Sequence, residues 1–140
     1  MKLKILHIED NMLNLGLVRR ILRVMDYTII EAQDGKSGLN AALTQNPDLI
    51  LLDIHLPDMD GTQIAAELKS IPALAHIPIV ALTADSSVEN QHRCQEAGCD
   101  AFILKPYNRA TLLKTVVQFT SQSQRQPNGR TTTTWHTAGI

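Results

Sequence analysis

The sequence predicts an α/β protein, a parallel sheet of five strands with helices packed on both faces. Three observations predict it. Short apolar segments alternate with helix-periodic ones along the whole first 120 residues. The most apolar segment, Leu49-Ile-Leu-Leu-Asp53, is unbroken, as in a strand buried on both faces of a parallel sheet. Several of the predicted strands also end abruptly in charged or hydroxyl side chains, with a turn or helix signal directly after them.

The elements follow in order. Residues 3–8 form a short apolar strand, and Glu9-Asp10 follow at once. Asn11 opens a helix over about 12–25, with Leu13, Leu17, Val18, Ile21, Leu22 and Met25 at helical spacing. Residues 27–32 are a strand of mixed composition, which suits a sheet edge. A helix over 35–45 leads to the strand 49–53, which Pro57 and Gly61 terminate. A helix over 61–70 precedes the strand 77–82, which ends in Thr83-Ala84. A helix over 87–97 precedes the strand 100–104, which ends in Lys105-Pro106. The last helix, 109–120, carries Leu112, Leu113, Val116 and Val117 on one face. Right-handed crossovers are expected throughout.

The folded unit spans residues 1–121. From residue 122 the composition turns to Ser, Gln, Pro, Asn and four consecutive threonines, with the only tryptophan, Trp135. That stretch lacks apolar periodicity, so residues 122–140 are expected to be a disordered tail.

Composition narrows the function. A 140-residue chain that is 44% hydrophobic can hold one real core. A net charge of -1 offers no electrostatic footprint for nucleic acid or an acidic membrane. No apolar run approaches the roughly 20 residues of a membrane span. No signal peptide is visible, so a cytoplasmic location is expected. Cys94 and Cys99 are expected to be free thiols, since their spacing suggests neither a metal site nor a redox pair.

In a parallel sheet the strand ends converge on one edge, where ligands and chemistry sit. That edge gathers Glu9, Asp10, Asp53, Thr83 and Lys105. Each has an ordinary alternative role. Thr83 suits a turn cap, Lys105 a solvated lysine and Phe102 a core ring. His55 is expected to be exposed and not a ligand through its ring, and His7, His76, His92 and His136 show no metal spacing. Arg19, Arg20 and Arg23 read as a solvated face.

These five matches, in order and at the right strand ends, resemble the receiver domain of two-component response regulators over about residues 3–120. The resemblance implies a flavodoxin-like fold with strand order 2-1-3-4-5 and a cis bond between Lys105 and Pro106, the kind of linkage where cis is cheap. It implies that Asp53 is the phosphoacceptor, that Glu9 and Asp10 are the acidic pair that holds Mg2+, and that the backbone carbonyl of His55 joins them. Thr83 becomes the switch hydroxyl, Lys105 the site lysine and Phe102 the switch aromatic. The implied partners are a histidine kinase or histidine phosphotransfer protein and a downstream protein target, with no direct nucleic-acid or membrane contact. Glu9-Asp10-Asn11-Met-Leu-Asn14 and Asp53-Ile-His-Leu-Pro57 look most like phosphorelay, hybrid-kinase or single-domain receivers. The last helix lacks acidic residues, which departs from receivers that dimerise through charge pairs there.

The residue types suit that chemistry. Three neighbouring carboxylates repel by several kcal/mol at an effective dielectric of about 20. Magnesium binds through one or two carboxylates and keeps other ligands for water and phosphate. Direct ligation by Asp10 and Asp53 is expected, with Glu9 acting through water. A carboxylate such as Asp53 can then take up phosphate as an aspartyl phosphate, with the metal and Lys105 stabilising the charge. The chain is not expected to turn over an external substrate. Two other classes use similar parts. A haloacid-dehalogenase-type phosphatase needs a second acid two residues after the nucleophile, where His55 stands. A nucleotide-binding enzyme needs a Gly-rich loop after the first strand, where Glu9-Asp10-Asn11 stands.

Overall fold

The computed structural model describes residues 2–125 and 136–138. Strands β1 (Leu3–Ile8), β2 (Tyr27–Ala32), β3 (Leu49–Asp53), β4 (Ile79–Thr83) and β5 (Ala101–Leu104) alternate with helices α1 (Met12–Leu22), α2 (Gly35–Gln45), α3 (Gly61–Ser70), α4 (Val88–Glu96) and α5 (Arg109–Arg125). All strand pairs are parallel and run in the order 2-1-3-4-5. The expected architecture is therefore present.

Strand alternation divides the core in two. Leu6, Ile8, Ile50, Leu52, Ile79, Ala81 and Phe102 face one layer, packed with Ile64, Leu68 and Cys94 of α3 and α4. Ile5, Leu49, Leu51, Val80, Leu82 and Ile103 face the other, against Val18 and Ile21 of α1 and Leu112 and Val116 of α5. Every residue of β3 and β4 is buried, while β2 is only half-buried, as its edge position requires. Each full burial of a Leu or Ile contributes roughly 1.5–3 kcal/mol.

Side-chain caps fix the helix starts. Asn11, Asp34, Asp60 and Ser87 accept hydrogen bonds from the backbone N–H groups of Asn14, Ser37, Thr62 and Asn90, at 3.0, 2.8, 2.8 and 3.1 Å. Such caps contribute about 1 kcal/mol each. Helix α1 stops at Leu22 rather than at Met25, because the last turn tightens, with Arg23 N–H bonding to Arg20.

The C-terminal segment 122–140 is described only in part. Helix α5 continues to Arg125, since no Gly or Pro interrupts it before Pro127. A short strand β6 (His136–Ala138) pairs in parallel with β5, Ala101 opposite His136, and makes the sheet six-stranded. The outer edge of β5 otherwise presents unpaired backbone groups, which a short strand satisfies. Residues 126–135, including Trp135, and 139–140 lie outside the described residues.

Candidate functional site

The period of two along each strand decides which side chains meet. Glu9 continues the face of Ile5 and His7, Asp53 that of Leu49 and Leu51, and Lys105 that of Ala101 and Ile103. All three emerge at the carboxyl edge on the α1–α5 side of the sheet. Among the described residues, Glu9, Asp10 and Asp53 form a carboxylate group whose ligand oxygens lie within 4.8 Å of one another. The Lys105 Nζ stands 3.0 Å from Glu9 Oε1 and 3.5 Å from Asp53 Oδ1. Glu9 and Asp53 are buried, and Asp10 is exposed at the rim.

The carboxylates differ in how their oxygens are used. Glu9 Oε1 takes Lys105, and Oε2 accepts the Asn11 N–H at 3.3 Å. Asp53 Oδ1 accepts the His55 N–H at 3.3 Å beside Lys105. Asp10 and the loop Ile54 to Asp60 line an open depression of about 410 Å³. An acidic trio with one lysine fits a hard divalent cation such as magnesium, which prefers oxygen ligands and few protein bonds.

The loop after Asp53 is held tightly. The Gly61 N–H donates to Ile54 O at 2.8 Å, and His55 bridges to Asp60. A Cβ on Gly61 would stand 2.6 Å from Ile54 Cα and 2.7 Å from the Asp53 carbonyl oxygen, so only glycine fits this close approach. Asp58 accepts the backbone N–H groups of Gly35 and Lys36 at the start of α2, at 2.8 and 3.1 Å. The Gly35 bond, first among several backbone donors, holds the Asp58 carboxyl below its ordinary range. The His55 ring is exposed, as expected.

Thr83 and Phe102 occupy the opposite face. Ala81 and Phe102 are register partners on β4 and β5, and Thr83 lies two residues beyond Ala81 on the same side. Both are fully buried. The Thr83 hydroxyl accepts the Asp85 N–H at 3.1 Å and the Asn90 side-chain amide at 3.5 Å. Thr83 therefore shapes the β4–α4 turn. The Lys105–Pro106 bond is cis.

Two features were not visible as functional from sequence. His7, whose spacing suggested no metal site, is wholly buried on the Glu9 side of β1, and neither ring nitrogen has a hydrogen-bond partner. Burial first, then the nearby Lys105 charge, lowers its pKa to about 4, although Glu9 at 4.0 Å opposes this. The ring is therefore neutral near pH 7. Tyr107 lies beside the site, and burial with the charges of Glu9 and Asp53 raises its pKa to about 12. The alternation that places Glu9 also places His7, two residues earlier, so that signal was present in the sequence. Tyr107 had no comparable signal.

The model of the response regulator receiver domain matches residues 5–117. The chain belongs to this family. A polar-differentiation response regulator DivK of Brucella ovis is 35% identical over 112 residues, which cover 80% of this chain and 91% of the relative. Among solved structures, a CheY-like receiver domain protein from Methanospirillum hungatei JF-1 superposes with a TM-score of 0.84 at 27% identity, covering 90% of this chain and 99% of that one. The receiver domain of the sensor histidine kinase PA1611 from Pseudomonas aeruginosa PAO1 superposes with a TM-score of 0.80 at 30% identity, covering 86% of this chain and 99% of that one. That receiver holds a magnesium ion in its active-site cleft. Among the described residues of this chain, no helix is long and apolar enough to cross a membrane.

Proposed function

We propose that this receiver is a phosphoryl-accepting switch in which Asp53 takes a phosphoryl group from a histidine kinase or histidine phosphotransfer protein, in the cytoplasm. The observation that carries this reading is the convergence of Glu9, Asp10, Asp53 and Lys105 at one sheet edge. Asp53 Oδ1 is engaged by Lys105 and the His55 N–H, which leaves Oδ2 as the nucleophile. A bond forms from Oδ2 to phosphorus as the phosphorus–nitrogen bond of the phosphohistidine breaks, and the freed imidazole takes up a proton. Lys105 moves its charge from a carboxylate to the phosphoryl oxygens. Asp10 and Asp53 would hold magnesium, supported by the His55 carbonyl. Both Glu9 oxygens are already engaged, which suits a role through water. Bound there, the ion would neutralise the carboxylates and the transferring group. The phosphate stays on the protein, so no external substrate is turned over.

The phosphoryl group then offers the Thr83 hydroxyl an acceptor. Its departure from Asn90 and Asp85 relaxes the β4–α4 turn, and Phe102, on the same face, repacks. The surface of α4, β5 and α5 changes, and a downstream protein reads it. The test is phosphotransfer. A small phosphodonor with magnesium should add one acid-labile phosphoryl group, and Asp53→Asn should abolish it. Label retained on that variant at wild-type stoichiometry would overturn the assignment.

A further inference from the structure

Four residues separate Cys94 from Cys99 in the chain, yet the two meet where α4 ends. Gly98 takes the left-handed conformation, with φ 101°. Its N–H donates to the Gln95 carbonyl, and the Cys99 N–H donates to the Cys94 carbonyl, each at 3.0 Å. This pair of bonds is a Schellman closure, in which the residues at the two ends of the longer bond bring their side chains together. Here those residues are the two cysteines. Both are buried in one core layer and both are free.

The surroundings favour Cys94 as the nucleophile. The neighbouring Cys99 thiol, first, and the nearby Arg93 charge favour its thiolate, although burial opposes them. Helix α4 is also thinly anchored. Of its nine residues only Asn90 and Cys94 are buried. Its end therefore opens at lower free energy than the central strands, which gives a small oxidant access.

We propose that Cys94 and Cys99 form an oxidative modification site, a dithiol that a peroxide closes into an intramolecular disulfide joining the end of α4 to the start of β5. The Cys94 thiolate attacks one peroxide oxygen, the oxygen–oxygen bond breaks, and Cys94 becomes a sulfenic acid as hydroxide leaves and is protonated to water. The Cys99 thiol then attacks the sulfenic sulfur, forms the sulfur–sulfur bond and releases a second water. Two thiols lose two electrons, and the peroxide gains them. The cross-link restrains one end of α4, the helix nearest the Thr83 turn. The proposal stands on the dithiol geometry alone and holds whether or not Asp53 accepts phosphate.

The test treats the native full-length chain with hydrogen peroxide, then alkylates and digests it. Trypsin, cutting after Arg93, leaves both cysteines on one peptide. The expected result is that this peptide loses two hydrogens, resists alkylation and recovers both thiols with dithiothreitol. Amide exchange around residues 94–99 should slow roughly tenfold or more, because the closed loop restricts opening. The Cys99→Ser variant should give no such peptide and should trap a sulfenic acid at Cys94. The proposal is overturned if both thiols remain alkylatable, if oxidation yields covalent dimers or sulfonic acids instead, or if amide exchange in the oxidised chain is unchanged.

Discussion

Removing one carboxylate from the site should stabilise the metal-free fold. The perturbation is Asp10→Asn, which keeps shape and removes one charge. The ligand oxygens of Glu9, Asp10 and Asp53 lie within 4.8 Å of one another. At that separation two unit charges repel by about 3.5 kcal/mol at an effective dielectric of about 20, and by about 0.9 kcal/mol at about 80. Asp10 is exposed, so the lower figure applies. Two pairs then sum to about 2 kcal/mol. Glu9 precedes Asp10 in the chain, so much of their repulsion persists in the unfolded state and cancels. About 1 kcal/mol remains, chiefly from Asp53. Urea denaturation in chelator measures it, and with a slope of about 2 kcal/mol/M the midpoint should rise by roughly 0.5 M. Magnesium should then raise the wild-type midpoint more than that of the variant, since binding to the native state alone adds stability. An unchanged or lower midpoint in chelator would refute the reasoning, because the carboxylates would then not be paying a repulsion in the folded state.

Three further predictions rest on single contacts. His7 is neutral in the fold with a pKa of about 4, below the ordinary 6.5. The unfolded chain therefore binds the extra proton first, and about 3 kcal/mol of stability present above pH 6.5 should be lost as pH falls towards 4. Comparison with His7→Val at pH 7 and pH 4 checks this, and a stability gap that does not move with pH would rule it out. Gly61→Ala should cost about 1–3 kcal/mol, because its methyl meets backbone atoms that cannot yield freely; a denaturation midpoint equal to wild type would show that the loop relaxes. Thr83→Ala should keep phosphorylation at Asp53 and lose most of the phosphate-dependent change in amide exchange over α4, β5 and α5, and a full wild-type change there would send the switch by another route.

Much of the fold was legible because its signals are local. The unbroken run ending in Asp53 reads as a strand covered on both faces, and Asn11, read as the start of the first helix, caps it. The site was legible for a related reason: a parallel sheet sends successive strand ends to one edge. What the sequence hid depends on pairing across distance. A three-residue strand at His136–Ala138 has no pattern of its own and exists through the edge of β5. The contact between Cys94 and Cys99 arises from a left-handed Gly98, not from any recognisable spacing. Helix α1 ended early because a tightened turn, not a breaker residue, stops it.

The same alternation that builds the site explains how the proposed switch divides its work. Glu9, Asp53 and Lys105 meet on the α1–α5 side, so the charge of phosphorylation arrives there. Thr83 and Phe102 lie on the α3–α4 side, where the core is apolar and responds by packing. β5 links both kinds of residue, with Phe102 on one face of the strand and Lys105, the residue directly after its end, on the other. A movement of Lys105 towards a phosphoryl group and a repacking of Phe102 are therefore displacements of a single backbone segment, whose neighbours are β4 on one side and β6 on the other. A partner that grips α4, β5 and α5 need not approach the phosphate to sense it. It needs only to bind one arrangement of that strand better than the other, and its differential affinity sets how far the phosphoryl group can shift binding.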